Sequence, residues 1–175
     1  MSDNFKSSSY KTDDPNWFEP IQTPLRGSSK PVEVRVSFVK LRPDAVEPVY
    51  QTSGASGVDL HSCEHASIPG GMWKTISTGL SFSIPSSYEG QVRPRSGMSA
   101  KHGITVLNAP GTIDSDYRGE VKVVLINHSS FEYIVQPGDR IAQLVFCRSI
   151  RAHFEETDSL DETPRGAGGF GSTGA

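Results

Sequence analysis

The chain has 175 residues, enough for one domain with a proper core and some tail to spare. A formal charge of −3 and a pI near 5.9 argue against direct nucleic-acid binding, which usually needs a basic surface. There is no apolar run of about 18 residues and no apolar segment behind a basic N-terminus, so neither a membrane span nor secretion is expected.

Two cysteines, Cys63 and Cys147, form no CxxC pair and fit free thiols in a reducing compartment, cytoplasmic or, in a eukaryote, nuclear. With 17 glycines, 12 prolines and many short β-branched runs, an all-β chain rich in turns is expected, with no long amphipathic helix. Residues 1–31 hold six serines and balanced charge, and their apolar residues show no periodicity. They read as a disordered or loosely attached arm. Trp17, Phe18 and Ile21 are its sticky cluster, and nothing names a partner for them.

The domain is expected over 32–154. Alternation predicts a first strand from Val32 to Phe38, with Val32, Val34, Val36 and Phe38 on one face. In A-S-G-V-D-L-H, Asp59 stands between Val58 and Leu60, pointing either to solvent or into a site. His61, Cys63 and His65 alternate, but three ligands at period two make a poor tetrahedral set, which argues against zinc. Leu80 to Ile84 is a further alternating strand, ended by Pro85.

The stretch Q-V-R-P-R-S-G-M-S from Gln91 brings Arg95, Ser96 and Gly97 together. Guanidinium, hydroxyl and successive backbone N–H groups suit an anion; a surface turn with solvated arginines is the alternative. Asn108 to Gly119, N-A-P-G-T-I-D-S-D-Y-R-G, reads as a hairpin with a turn at Pro110 and Gly111. Its returning arm carries Asp114, Asp116, Tyr117 and Arg118. A carboxylate beside an aromatic ring on a tight turn suits water activation next to a flat ligand. Turn geometry alone is the other reading.

Strands are expected at Val121–Asn127 and Phe131–Val135, and from Ile141 after the P-G-D-R turn. Gln143 there is a polar residue among apolar ones, facing either the surface or a ligand. From Glu155 to Pro164 five acids and no base make an exposed tether. The last eleven residues, R-G-A-G-G-F-G-S-T-G-A, hold five glycines and cannot build a core element. They nonetheless carry Arg165, Phe170, Gly171, Ser172 and Thr173 on a chain able to wrap a ligand. With no lysine after the last glycine and no helix to follow, this is not a Walker A loop.

Five stretches, A-S-G-V-D-L, R-P-R-S-G-M-S, N-A-P-G-T-I-D-S-D-Y-R-G, P-G-D-R-I-A-Q-L and R-G-A-G-G-F-G-S-T-G, stand in this order. Together they resemble the five motifs of the trimeric dUTP pyrophosphatases (dUTPases) from Ser56 to Gly174, with Ala167 a small departure. The resemblance implies a jelly-roll-like β-barrel, a homotrimer whose three sites lie between subunits, and a mobile tail that closes a neighbour's site. It implies hydrolysis of dUTP to dUMP and pyrophosphate by water attack at the α-phosphorus. Asp114 matches the water-activating carboxylate, and Tyr117 the ring under the deoxyribose that excludes a 2′-hydroxyl. Asn108 and the backbone around Gly111 match the uracil-reading element. Arg95, Ser96 and Gly97 match the phosphate turn, and Gln143 a phosphate and water contact. Asp59 matches an acid acting through the metal's waters or through the tail arginine. Arg165, Ser172 and Thr173 match γ-phosphate ligands, and Phe170, next to Gly171, the ring over uracil. Mg²⁺ bound mainly by the triphosphate is implied as cofactor. A dCTP deaminase of the same fold is the nearest rival, set aside because the turn is R-S-G and the hairpin ends D-Y-R-G. A nucleotide-gated regulator is the second.

Overall fold

β-Branched and aromatic residues fall in short runs, and almost every run becomes a strand paired antiparallel with a neighbour. The structure, a computed structural model, describes residues 33–170. The expected arm at 1–31, the start of the first strand at Val32, and Gly171, Ser172 and Thr173 of the tail lie outside the described residues. Among the described residues eleven strands and one short helix follow in order: β1 (Ser37–Lys40), β2 (Val58–His61), β3 (Ala66–Ile68), β4 (Trp73–Ser77), β5 (Leu80–Ser83) and β6 (Tyr88–Arg93) come first. Then come α1 (Ser96–His102), β7 (Ile104–Val106), β8 (Gly111–Ile113), β9 (Lys122–Asn127), β10 (Tyr133–Val135) and β11 (Arg140–Arg148).

The strands form a four-stranded sheet β2-β11-β6-β8, a three-stranded sheet β4-β9-β7, and the pairs β1-β5 and β3-β10. This is the jelly-roll-like all-β architecture that the resemblance implies. Alternation explains the core. Along β9, Val123, Leu125 and Asn127 are buried while Val124 and Ile126 are half-buried on the other face. Leu60, Ile68, Ile76, Leu80, Ile104 and Leu144 complete the interior.

Strand β11 breaks the alternation. Ile141 and Ala142 are both buried, because the register against β2 shifts between Arg140 and Ala142. Such a bulge re-aims the side chain beside it. Here Arg140 comes to lie opposite His61, on the face that carries Asp59 and its partner Gln143. The P-G-D-R turn before it is pinned to the end of β2, with Ser62 N–H donating to Asp139 at 2.8 Å and Gly138 N–H to Ser62 at 2.7 Å. Gly138 takes φ of 86°, which favours glycine.

Two expectations change. The first strand begins at Ser37, although Val36 and Phe38 keep the expected half-buried face. The stretch 108–119 is not a self-paired hairpin: β8 pairs with β6, while β7 pairs with β9 in the other sheet. The residues around the turn thus bridge two sheets.

Buried Asn127 fastens the loop after β9. Its Nδ2 donates to the carbonyls of Ile68 (2.9 Å) and Phe131 (2.7 Å), and its Oδ1 accepts from Ser129 N–H (3.0 Å) and Oγ (2.8 Å). Asn127→Ala would strand these groups in the interior. A loss of about 2–4 kcal/mol is expected, read as a lower denaturant midpoint. A midpoint equal to the parent's would remove Asn127 from the stabilising framework.

Candidate active site

The segment after β8 builds a cleft. Thr112, Ile113, Asp114, Tyr117, Glu120 and Lys122 line a volume of about 520 Å³. Tyr117 N–H donates to the Asp114 carbonyl at 3.1 Å, which closes the turn. Arg118 braces it from outside, its Nη1 donating to the carbonyls of Ser115 (2.7 Å) and Tyr117 (2.8 Å). Ser81 Oγ ties the Arg118 carbonyl to β5 at 2.7 Å. Arg118 is therefore a structural brace.

The Tyr117 ring lies over Gly119. Its hydroxyl donates to the Glu120 carbonyl at 3.0 Å. A Cβ at position 119 would stand 2.4 Å from that hydroxyl and 2.6 Å from Cζ. Only glycine leaves the ring this seat. Glu120 is fixed in turn, with Gly79 N–H donating to Oε1 at 2.8 Å and Lys122 Nζ at 3.5 Å from Oε2. Asn108 is exposed at the turn before β8, and its amide nitrogen would lie 3.1 Å from a Cβ on Gly111. Gly111 gives Asn108 that room.

A second group lies elsewhere on the same sheet. Arg95 caps α1, and Ser96 and Gly97 are its first residues, both exposed. The early N–H groups of a helix lack intrahelical acceptors, so this turn offers donors to an anion. The chain end of α1 is closed by Gly103 at φ of 67°. Asp59, 4% exposed, points into this group: Arg140 Nη1 is 3.3 Å from Oδ2 and Arg95 Nε 3.3 Å from Oδ1. Gln143 stands directly across from Asp59 on β11, and Arg93 directly across from Gln143 on β6.

No three-ligand metal cluster exists among the described residues. His61 ends β2, Cys63 is buried with its thiol donating to the Thr78 carbonyl at 3.1 Å, and His65 is exposed. Burial holds the His61 imidazole below its usual range; nearby Asp59 opposes this, and Arg140 and Arg95 add to it. Both cysteines are free.

The expected site residues thus fall into separate places. Asp114 and Tyr117 share the cleft, with Asn108 and Gly111 at the other end of β8. Arg95, Ser96, Gly97, Gln143 and Asp59 form the second group. Asp59, on β2, is three strand spacings from β8, roughly 14 Å, while the Arg95–Gly97 turn leaves β8's neighbour β6 beyond Arg93, roughly 13 Å along the strands from the Asp114 end. The described tail joins neither group: from Arg148 to Ala167 every residue is exposed, and so is Phe170. Among the described residues, Arg165 Nε donates to the Gly168 carbonyl at 2.8 Å.

Residues 44–174 match the family model for dUTPase. This chain belongs to the dUTPase family. A deoxyuridine 5'-triphosphate nucleotidohydrolase of Wolinella succinogenes is 54% identical over 142 residues, covering 81% of this chain and 95% of that protein. The protein of the same description from Nautilia profundicola is 54% identical over 141 residues, covering 81% and 99%. Among solved structures, the Staphylococcus bacteriophage 80alpha dUTPase with dUPNHPP shares the fold, with a TM-score of 0.75 at 24% identity over 81% of this chain and 99% of that one. A dUTPase from phage phi11 of S. aureus, solved with attention to a structural Mg(II) ion, has a TM-score of 0.68 at 21% identity over 73% and 99%.

Sequence reasoning missed two residues of the candidate site: Arg140, paired with Asp59, and Gly119, which seats the Tyr117 ring. Arg140 was legible only as part of a turn, since its direction depends on the bulge. Gly119 had a signal in the D-Y-R-G run, an aromatic two residues before a glycine.

Proposed function

We propose that this chain hydrolyses dUTP to dUMP and pyrophosphate at sites completed between the subunits of a homotrimer. The carrying observation is the separation of the two groups. A general base must reach its water within hydrogen-bond distance, or through one further water. Asp114 does not stand that close to a phosphorus held at the Arg95–Gly97 turn of its own chain: β6 and β8 are neighbours, but Asp114 follows Ile113 at the Gly90 end of the pair, and the turn leaves β6 beyond Arg93, roughly 13 Å away along the strands. A neighbouring subunit's turn placed over the Asp114 cleft joins them.

In that arrangement Asn108 and the backbone at Gly111 read the uracil edge, and the Tyr117 ring packs under the deoxyribose. Asp114 accepts a proton from the attacking water. The bond from the α-phosphorus to its bridging oxygen breaks, and pyrophosphate leaves with the electron pair. Arg95, the Ser96 hydroxyl and the N–H groups at Ser96 and Gly97 take the phosphate charge, with Gln143 beside them. Arg165, Ser172 and Thr173 hold the γ-phosphate, while Phe170 and Gly171 cover the base. Asp59, engaged by two arginines, offers Mg²⁺ no cage. The ion fits as one brought in with the triphosphate, where it neutralises phosphate charge.

Pyrophosphate release from dUTP, dCTP, dTTP and UTP tests the reading. Turnover of dUTP far above the other three is expected, and ammonia release from dCTP would replace it with the deaminase. Sugar selection gives a finer test. Tyr117→Ala is expected to lower the dUTP-to-UTP ratio of kcat/KM by up to ~10²-fold, the span by which a pocket rejects an added hydroxyl. Gly119→Ala displaces the same ring and should move the ratio in the same direction. Unchanged ratios in both would assign sugar selection to another residue.

A further inference from the structure

Among the described residues Asp59 is the only buried charged side chain. A carboxylate removed from water without partners costs several kcal/mol, so its partners define its role. They are two guanidiniums. Arg140 donates from Nη1 to Oδ2 at 3.3 Å. Arg95 Nε lies 3.3 Å from Oδ1 without the alignment of a hydrogen bond, and Arg95 Nη1 donates to the Arg140 carbonyl at 3.0 Å. Arg95 is therefore held at two points, one on β2 and one on β11. The second is a backbone carbonyl at the β11 bulge, which also places Arg140 opposite His61 on the Asp59 face.

Two guanidiniums around one carboxylate leave a formal surplus of one positive charge beside Ser96 and Gly97. Arg140 is the more exposed of the two, with 49% of its side chain accessible against 25% for Arg95. We propose that Asp59 is a positioning residue that fixes the Arg95 guanidinium toward the nucleotide's phosphates, with Arg140 as the second cation of the same clamp. The inference rests on the phosphate reading of the Arg95–Gly97 turn. It has a distinctive sign. By charge alone, a carboxylate near a triphosphate repels it, and Asp59→Asn would tighten binding. As a positioning group, Asp59 strengthens binding, and its loss weakens it.

The experiment measures the dissociation constant of the imido analogue of dUTP and the inhibition constant of deoxyuridine, which carries no phosphate. Both are measured on full-length Asp59→Asn, Arg95→Gln, the double variant and Arg140→Gln. Asp59→Asn is expected to weaken the analogue about 10- to 100-fold, the scale of a charge-assisted hydrogen bond, while deoxyuridine is unchanged. In the Arg95→Gln background the same substitution should change little, because Asp59 acts through Arg95. The loss should persist in EDTA, because the clamp does not act through the metal. Arg140→Gln, at an exposed side chain, should weaken the analogue about tenfold without touching deoxyuridine, and it keeps the clamp testable if Asp59→Asn does not fold. Tighter or unchanged analogue binding, an equal loss for deoxyuridine, full additivity with Arg95→Gln, or a loss confined to Mg²⁺ buffer would each overturn the proposal. An Arg95→Gln variant that binds the analogue normally would instead remove the phosphate reading, and this clamp with it.

Discussion

Asp114→Asn should bind dUTP nearly as well as the parent and turn it over about 10²- to 10⁴-fold more slowly, the usual contribution of a positioned general base. The amide keeps the size of the carboxylate and can still orient a water, but it cannot accept the proton as attack proceeds. Folding should be untouched, because Asp114 is exposed at the mouth of the cleft and its carbonyl, not its side chain, accepts the turn bond from Tyr117. The expected signature is a fall in kcat with little change in KM, measured with the analogue's dissociation constant as control. Near-normal kcat would place the proton acceptor elsewhere.

A chain ending at Pro164 should melt like the parent in the absence of nucleotide and lose at least ~10²-fold in kcat/KM, about 2.7 kcal/mol of transition-state stabilisation. The first half follows from burial. Every residue from Arg148 to Ala167 is exposed, and Phe170 lies fully in solvent, so the described part of the removed segment contributes almost no core. The second half follows from the roles proposed for the tail, in which Arg165 and the hydroxyls of Ser172 and Thr173 grip the γ-phosphate and Phe170 covers the base. A truncated chain that unfolds, or one with unimpaired turnover, would contradict one half or the other.

What could be read from the chain depended on how local each cause is. Strand β5 announces itself through alternation, and β9 and β11 through β-branched and apolar runs, since V-K-V-V-L-I-N needs only its own sequence to read as a strand. Strand β4 does not: of Trp73 to Ser77 only Ile76 is buried, so its place is set by pairing with β9. Strands β3 and β7 have three residues each, too few for a period, and Gly90 interrupts β6. Helix α1 spans seven residues beginning Ser-Gly, poor helix formers, and the one usable signal was Gly103 behind Lys101 and His102. The hairpin at 108–119 was misjudged because a turn between two β-branched runs implies that they pair, whereas each pairs into a different sheet. The motifs gave the candidate site residues in order. Asp59's inward direction could not be read locally, because both arginines that hold it are far along the chain.

The central claim, that the site is completed between subunits, is tested most directly by mixing. The chain truncated after Pro164 keeps Asp114 and lacks the tail; full-length Asp114→Asn has the reverse defect. Mixed under conditions that allow subunit exchange, the two should regain part of the dUTPase activity that neither has alone, as one chain's tail closes over another's Asp114. A mixture that stays inactive, with exchange confirmed independently, would contradict the account and show that each tail serves its own chain.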